Sequence, residues 1–222
     1  MAPQDPPLRT ALGADAPAGE INPGVEEVLD AALAQFEDIG VRRSTIEDIA
    51  RRARIDRVTV YRRIGSKDDL IQAVLAREAR RLIDRIDAAT APLATLDERI
   101  ATAFATAIVH LRENALFNRM LALDSDTMLP RVTTQAGSLL AIGIAAAAHL
   151  LQRAQDDSLL EPIDDPQGVA EVLVRLIQSF VLTPNGALKL QTSAQLETFA
   201  RAHLTAIVTR GGQSPPSRPA AT

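Results

Sequence analysis

Apolar residues recur along the interior of the chain at intervals of three and four positions, which is the period of an α-helix. In the first such stretch they end just before Gly40, a natural C-terminal stop. They are Val25, Val28, Leu29, Ala32, Phe36 and Ile39. The same spacing predicts further helices near residues 95–113, 115–123, 131–155, 166–182 and 193–209. No segment alternates apolar and polar residues between hairpin turns, so the pattern predicts an all-α protein.

Polar residues at fixed offsets predict two short helices after the first long one. Ser44, with Glu47 three positions later, forms a capping box that opens the first of them. Asp56 is the predicted N-cap of the second, which runs from Arg57 to Arg63. Two short helices joined by a tight break, with basic residues on the second, indicate a helix-turn-helix.

The second short helix has an apolar side and a polar side. Val60 and Ile64 are four positions apart and should point into the core. The side chains left for the outer side are Arg57, Val58, Thr59, Tyr61, Arg62 and Arg63. Gly65 ends this helix, and Ser66 caps a long helix that should reach about Ala89.

The formal net charge of −4 conceals an uneven distribution. Residues 1–41 carry one basic and eight acidic side chains, whereas residues 42–67 carry nine basic and three acidic ones. A dense basic block in an otherwise acidic protein indicates a polyanionic partner. A solvated arginine-rich helix surface explains the charge equally well, so both interpretations stay open at this point.

The composition excludes several classes of site. The chain has no cysteine, which rules out disulfides, thiolate zinc sites and a cysteine nucleophile. Its three histidines, His110, His149 and His203, match no zinc-ligand spacing, so we expect no metal and no cofactor. The P-loop, G-x-S-x-G, Rossmann and H-E-x-x-H motifs are all absent, so we expect no catalytic residues and no enzyme activity.

Prolines concentrate at the two ends of the chain. Five of the 13 lie in residues 1–23 and three in 215–219, which predicts disordered tails over 1–23 and 211–222. The interior prolines, Pro130 among them, are expected where helices start or stop. The first tail lacks the apolar region of a signal peptide, and we expect a cytoplasmic protein. The uncharged stretch after Arg131 is rich in alanine and polar residues, which favours a buried bundle helix over membrane insertion.

Five short motifs within residues 25–75 occur in the order of a known family. They are Ala32 to Phe36, Gly40, Thr45 to Ala50, Thr59-Val60-Tyr61, and Gly65-Ser66-Lys67 to Leu70. With these motifs the segment resembles the N-terminal domain of TetR-family transcriptional regulators. In one departure, Arg54 replaces the usual glycine of the turn, at a position that needs a positive φ. In another, Arg63 stands where the family usually has histidine.

The resemblance implies that the second short helix reads DNA. The residues expected to contact phosphates are Thr45, Tyr61 and Lys67. Those expected at base edges in the major groove are Arg57, Val58, Thr59 and Arg62. Arg63 completes the implied DNA-binding set, although the group that it contacts stays open.

The resemblance also implies the organisation of the whole chain. A helix-turn-helix DNA-binding domain over residues 24–89 should precede a helical ligand-binding and dimerisation domain over 90–210. The family pairs its last two helices, here near 166–182 and 193–209, with those of a second copy. Such a homodimer would read two half-sites of a palindromic, double-stranded operator. Packing within one chain also accounts for these apolar helix faces.

The resemblance further implies a repressor that a small-molecule inducer releases from DNA. Because aromatic residues make up only 3% of the chain, we expect an apolar inducer in a largely aliphatic pocket. The apolar candidates for its lining are Phe104, Ile108, Phe117, Met120, Leu121, Met128, Leu139, Ile142 and Phe180. The polar candidates are His110, Asn114, Arg119 and His149. Helix packing is the alternative role for each residue. The alternative function is an activator or a DNA-binding protein without a small-molecule response.

Overall fold

A computed structural model describes residues 23–123 and 125–211, and within them the regular structure is helical, without a strand. The described residues form two compact units. The first unit contains the residues up to Arg80 together with Asn114–Ala136. The second contains Arg81–Glu113 and the residues from Gly137 onward. The predicted tails lie outside the described residues, apart from Pro23 and Gly211 at their inner borders.

The two units divide the helices between them. The first unit holds α1 (Pro23–Ile39), α2 (Ile46–Arg52), α3 (Arg57–Arg63), the first part of α4 (Lys67–Thr90), α6 (Ala115–Leu123) and α7 (Ser125–Val132). The second unit holds the rest of α4, α5 (Leu96–Glu113), α8 (Gly137–Asp156), α9 (Pro166–Leu182), α10 (Ser193–Phe199), a π-helical turn (Ala200–Leu204) and α11 (Thr205–Gly211). The all-α prediction is confirmed.

The single helix predicted over 131–155 is wrong. The chain instead ends α7 at Val132, makes a turn, and begins α8 at Gly137. In this turn the amide of Gln135 donates to the carbonyl of Pro130 at 2.6 Å. Pro130 lies inside α7 rather than at a helix boundary, which also departs from the prediction. The uncharged run crosses the turn without a change in apolar spacing, so periodicity alone could not locate the break.

The core of the first unit draws on α1, α2, α3, α4 and α6. Its fully buried side chains include Val28, Phe36, Ile49, Val60, Leu70, Val74 and Leu116. Leu116 and Met120 lie four positions apart on α6, so one side of that helix is buried in this core. The segment 114–136 therefore packs with the helix-turn-helix, although it lies outside the domain predicted over 24–89.

The N-cap of α2 differs from the prediction by one residue. Thr45 is the N-cap, and its Oγ1 accepts a hydrogen bond from the amide of Asp48 at 3.1 Å. Ser44 is buried, and its Oγ donates to the carbonyl of Gly40 at 2.7 Å. That bond satisfies a backbone acceptor at the end of α1, where burial would otherwise leave it unpaired. The predicted capping box of Ser44 and Glu47 is therefore wrong.

The turn between α2 and α3 has the left-handed backbone that the sequence predicted. Arg54 adopts a φ of +57°, which costs a non-glycine residue about 1 kcal/mol. The amide of Ile55 closes the turn by donating to the carbonyl of Ala50 at 3.0 Å. Asp56 then caps α3 as predicted. The tight turn fixes the direction in which α3 leaves α2.

The second unit contains three long helices, α5, α8 and α9. α5 packs against α10 and the π-helical turn, and α8 packs along α9. Gly143 allows the last two to approach closely, since a Cβ at that position would lie 3.1 Å from Cγ1 of Val174. The side chains buried along α10 and α11 are Leu196, Ala200, Leu204 and Val208. The sequence suggested the apolar face of residues 193–209 for dimerisation. Most of that face is therefore buried within its own chain.

Candidate nucleic-acid interface

Helix α3 is anchored by one side and presents the other to solvent. Val60 is fully buried and Ile64 nearly so, as their spacing predicted. Val58 is 71% exposed and Tyr61 49% exposed. On the same side, Thr59 is half-buried, and three arginines are exposed: Arg57, Arg62 and Arg63. The apolar contacts therefore hold the helix in place while leaving its cationic side accessible.

The outer side of α3 consists of three rows of residues four positions apart. In the row of Arg57 and Tyr61, the guanidinium carbon lies 5.9 Å from the ring centroid, within cation–π range. In the row of Thr59 and Arg63, both residues bond to the protein itself. The row of Val58 and Arg62 lies between these two and is exposed at both positions.

Two residues of the predicted DNA-binding set hold α3 in position. The Thr59 hydroxyl donates to Oδ2 of Asp56 at 2.8 Å, and its amide donates to Oδ1 at 2.7 Å. These bonds lower the pKa of Asp56, the hydroxyl contributing most. At the other end of the helix, Nη1 of Arg63 donates to the carbonyl of Gly24 at 2.8 Å. Arg63 thus ties the end of α3 to the start of α1.

The residues predicted to contact phosphates lie on α3 and at the starts of α2 and α4. Thr45 lies at the start of α2, where its hydroxyl donates to Oδ2 of Asp48 at 2.5 Å and lowers the pKa of that carboxyl. Nζ of Lys67 donates to the carbonyl of Arg42 at 3.3 Å. Tyr61 is on the outer side of α3, so the structure brings these predicted residues together on the helix-turn-helix and the helix that follows it.

Sequence reasoning missed a buried arginine that braces this unit. Arg77 of α4 is almost completely buried, with Nη1 2.8 Å from Oδ1 of Asp30 and 3.0 Å from Oε2 of Glu26. Its position seven residues after Leu70, on the buried side of α4, was a signal that could have identified it. Arg119 of α6, predicted as a ligand contact, donates instead to the carbonyl of Asp38 at the end of α1.

An exposed arginine of the basic block also bonds to α1. Arg52 of α2 pairs with Oδ2 of Asp38 at 2.7 Å and donates to Oε1 of Gln35 at 3.0 Å. Both partners belong to α1. An exposed pair of this kind contributes little to stability, about 0–1 kcal/mol. Its geometric effect is to fix the end of α2, next to the turn that aims α3.

The structure divides the residues predicted for ligand binding between the two units. The first unit contains Asn114, Phe117, Met120 and Leu121. Met120 is buried in its core and Leu121 packs against that core. Oδ1 of Asn114 accepts a hydrogen bond from the amide of Phe117 at 2.8 Å, and so caps α6. The side chain of Met128 lies outside the described residues.

The second unit contains the other predicted residues, Phe104, Ile108, His110, Leu139, Ile142, His149 and Phe180. Phe104 and Phe180 meet with their ring centroids 6.0 Å apart. Phe199 joins both of them, at 5.9 and 5.3 Å, and His203 lies 4.8 Å beyond it. Three of the five phenylalanines of the chain thus form one cluster. Ile108 is fully buried, and His149 is exposed.

A cation lies beside this aromatic cluster. Arg112 of α5 donates from Nη2 to the carbonyl of Phe180 at 3.0 Å and from Nη1 to the carbonyl of Leu190 at 2.5 Å. Burial lowers the pKa of its guanidinium. Arg112 and the ring pair of Phe199 and His203 are the residues near the predicted ligand set that sequence reasoning missed. No local motif marks them, because they meet only through helix packing.

Two classes of site receive no support from the geometry. Among the described residues, no group of three His, Cys, Asp or Glu side chains is arranged to hold a metal ion. None of the helices in the described part of the chain is both long and apolar enough to cross a membrane.

Comparison with known families covers both units. Residues 28–74 match the profile of a family described as bacterial regulatory proteins, tetR family. Residues 95–202 match the profile described as bacterial tetracyclin repressor, C-terminal domain. The first match includes α2 and α3, and the second runs from α5 into the π-helical turn.

Individual proteins are similar over most of the chain. The HTH-type transcriptional regulator AlkX of Mycobacterium tuberculosis (strain ATCC 25618 / H37Rv) is 26% identical over 161 residues, which cover 70% of this chain and 75% of the relative. The R. erythropolis repressor QsdR, from the TetR family, superposes with a TM-score of 0.63 at 20% identity, covering 90% of this chain and 100% of its own. The TetR family repressor AlkX from Dietzia sp. strain DQ12-45-1b gives 0.64 at 18% identity, with 86% and 96% covered.

Proposed function

This chain is a DNA-binding transcriptional regulator of the TetR family, and we propose that it acts as a homodimeric repressor that a small apolar molecule releases from its operator. The observation that supports binding to an operator is the placement of α3, with Val60 and Ile64 buried in the core and the cationic side exposed. Since its DNA target is the chromosome, we place the protein in the cytoplasm.

In this proposal the side chains of the DNA-binding set divide by task. Those that contact phosphates are Thr45, Tyr61 and Lys67, which fix the position of the protein on the duplex. Those that read base edges are Arg57, Val58 and Arg62, which lie on the two exposed rows of α3. Thr59 and Arg63 hold the helix through their hydrogen bonds to Asp56 and Gly24. Each of them contacts DNA only if its side chain bonds to the protein and to DNA at the same time.

Dimerisation doubles the contact with DNA. One short α3 covers only a few base pairs, whereas a two-fold dimer reads two half-sites about 34–36 Å apart. We assign the dimer surface to α9 and to α10–α11. Val172 of α9 is 45% exposed, and the small residues Ala202 and Ala206, four positions apart, are exposed on the other helix. Small exposed residues at this spacing suit close packing of two helices.

We assign inducer binding to the second unit, beside the cluster of Phe104, Phe180 and Phe199. Aromatic surface suits an apolar ligand, and the guanidinium of Arg112 offers a polar anchor at its edge. The similar repressor AlkX from Dietzia is described as implicated in the biodegradation of n-alkanes, which is in keeping with an apolar ligand. To turn a mostly DNA-bound population into a mostly released one, the ligand must favour the released state about 10⁴-fold.

The test of the DNA-binding function is a titration of the purified full chain against two labelled duplexes. One comes from the region upstream of its own gene and the other is a random sequence of equal length, each at two salt concentrations. We expect the upstream duplex to bind far more tightly, with one dimer for each site. The contrary result is equal, weak and strongly salt-dependent binding to both duplexes, together with no enriched sequence in a pull-down of genomic fragments. It would show that the basic block lacks sequence preference.

The test of the inducer is a thermal-shift screen on the same protein, followed by DNA release. We expect alkanes or other uncharged apolar compounds to raise the melting temperature and to dissociate the operator complex. Stabilisation by charged metabolites alone would refute the apolar class. An activator without a ligand response is the remaining candidate, and it predicts that DNA binding persists with every compound in the screen.

A further inference from the structure

Val58 is the most exposed large apolar side chain among the residues that the structure describes, with 71% of its surface accessible. It is the second residue of α3. Valine is a weaker helix former than alanine, and at an exposed position it gains no packing energy in return. Single exposed apolar residues are ordinary elsewhere on a surface. Here the residue lies on the outer side of the one helix that presents base-reading side chains.

The neighbours of Val58 leave it uncovered. The Thr59 hydroxyl is held by Asp56 at 2.8 Å, and the Arg57 guanidinium lies over the Tyr61 ring in the adjacent row. Arg62, one turn further along the row of Val58, is itself exposed. The two γ-methyl groups of Val58 therefore form an apolar spot between polar and cationic side chains on the outer side of α3.

The chemistry of the major groove offers one apolar group to such a spot. Thymine carries a C5 methyl there, cytosine carries only a hydrogen at its C5, and the other groups at base-pair edges are hydrogen-bond donors and acceptors. Valine has neither a donor nor an acceptor to offer, so against a polar base edge it would displace water without replacing the lost hydrogen bonds. Its contact energy is favourable against a methyl group and unfavourable against the other edges.

We infer that Val58 is a specificity-determining residue that packs its γ-methyl groups on the C5 methyl of a thymine in each operator half-site. This inference rests on the proposed function, since it requires α3 to enter the major groove. Replacing that thymine with uracil removes the methyl and leaves every hydrogen-bonding group in place. Loss of one buried methyl weakens binding about fourfold, and loss in both half-sites weakens a dimer about 15-fold.

The experiment begins with a selection of binding sites from a random duplex library, using the full chain. Wild type, Val58→Ser, Val58→Ile and Leu188→Ala are selected in parallel. Serine removes both γ-methyl groups, isoleucine keeps an apolar branched side chain, and Leu188 is an exposed apolar residue of the second unit. We expect one thymine in each half-site to disappear from the sites of Val58→Ser and to persist in those of the other three proteins.

The affinities for the wild-type site and for its uracil-substituted form then measure the contact directly. Wild type and Val58→Ile should prefer thymine about 15-fold when both half-sites are changed, whereas Val58→Ser should bind the two duplexes equally. Circular dichroism and a thermal melt confirm that the variants fold alike. If Val58→Ser unfolds, Val58→Ala takes its place and should reduce the preference for thymine over uracil.

The outcomes separate this inference from the proposed function. If wild type selects a clear site in which no thymine-to-uracil change matters, operator recognition stands and the role of Val58 is overturned. The same conclusion follows if Val58→Ser keeps the full thymine preference. If wild type selects no common sequence, the proposed operator-specific function fails, and the inference fails with it.

Discussion

The short helices of the first unit and the long helices of the second unit are held by different means. In the first unit, α2 and α3 have seven residues each, and side-chain N-caps and cross-helix hydrogen bonds hold their ends. In the second unit, α8 and α9 have 20 and 17 residues and pack along each other at Gly143. A short helix has few internal hydrogen bonds, so its terminal groups decide its stability. A longer one depends mainly on the apolar surface that it buries.

This difference suits the two tasks proposed for the units. A base-reading helix must hold its side chains at fixed distances from DNA, and polar bonds at its ends constrain it geometrically. A unit that binds an apolar molecule needs apolar surface, which many packing arrangements can supply. The first unit should therefore be most sensitive to the loss of single polar groups, and the second to the loss of apolar volume.

The largest expected effect is the loss of a phenylalanine from the second unit. Phe104→Ala removes the ring that packs against both Phe180 and Phe199, and leaves a cavity in a closely packed core. We expect the free energy of unfolding to fall by about 3–5 kcal/mol. Urea unfolding followed by circular dichroism measures it. A loss well under that range would show that the neighbouring side chains move into the space that the ring leaves.

A smaller effect with a sharper functional consequence comes from the N-cap of α3. Asp56→Ala removes the acceptor for the amide and hydroxyl of Thr59, and we expect a lower free energy of unfolding, because alanine cannot cap the start of the helix. Thr95 is a matched control in the second unit, since its hydroxyl accepts from the amide of Glu98. Thr95→Ala should cost a similar amount of stability in the same urea unfolding experiment.

The two variants should differ in DNA binding and not in stability. Asp56→Ala should weaken operator binding in a titration of labelled duplex, because α3 loses its fixed start, whereas Thr95→Ala should leave binding unchanged. Asp56→Asn should retain most of the affinity, because asparagine also caps well. Equal DNA affinity for all three variants would mean that the cap serves stability only.

A third change separates phosphate binding from base reading. Lys67→Ala should weaken binding to operator and random duplexes by the same factor. It should also lower the slope of log affinity against log salt by about one for each phosphate that the protein no longer neutralises. Lys189 is the other lysine of the chain, exposed in the second unit, and Lys189→Ala should change neither quantity. A weakening confined to the operator would instead make Lys67 a reader of sequence.

The smallest effect is a difference in the response to acid. Hydrogen bonds from Thr45, Thr59 and Ser66 lower the pKa of the three aspartates that cap or close the starts of α2, α3 and α4: Asp48, Asp56 and Asp69. A lowered folded-state pKa gives stability that is present above the unfolded value, about 3.9, and is lost as the pH falls through the folded value. The first unit should therefore loosen below about pH 4.

One carboxyl of the first unit acts in the opposite direction. Burial, and then the charges of Glu78 and Asp38, raise the pKa of Glu37 above its ordinary value of 4.5. Its charge disfavours folding above the raised value, and protonation relieves that cost as the pH falls through it. Amide hydrogen exchange from pH 6 to pH 3 should thus show α2 and α3 slightly protected at first and then released, ahead of α5. Uniform release of all three helices would contradict this sequence of events.

Individual residues show how far the sequence alone could predict this protein. Val60 and Ile64 were placed in the core from their spacing, and Arg54 was given a positive φ from its place in the turn motif, and both predictions are confirmed. The N-cap of α2 was assigned to Ser44, one residue too early. Both Ser44 and Thr45 are good caps, and only the buried carbonyl of Gly40 decides which of them turns inward.

The ligand candidates show where prediction reached its limit. Spacing identified Met120 and Phe104 alike as apolar positions on helices, but packing places Met120 in the core of the first unit and Phe104 in the aromatic cluster of the second. Phe199 and His203 join that cluster from a distant part of the sequence. The ligand-binding roles of Met120 and Phe104 stay predictions, as do the DNA-binding roles of the side chains on α3.

The sequence by itself determined the helical fold and most helix ends, together with the outward side of α3. These features depend on groups three or four residues apart, whose contacts the chain makes locally wherever it is helical. Tertiary structure decided which helices share a core, including the placement of α6 beside α1, and which arginines bond to a neighbouring helix. Those outcomes depend on the burial of apolar side chains and backbone carbonyls far apart in sequence, so no local pattern records them.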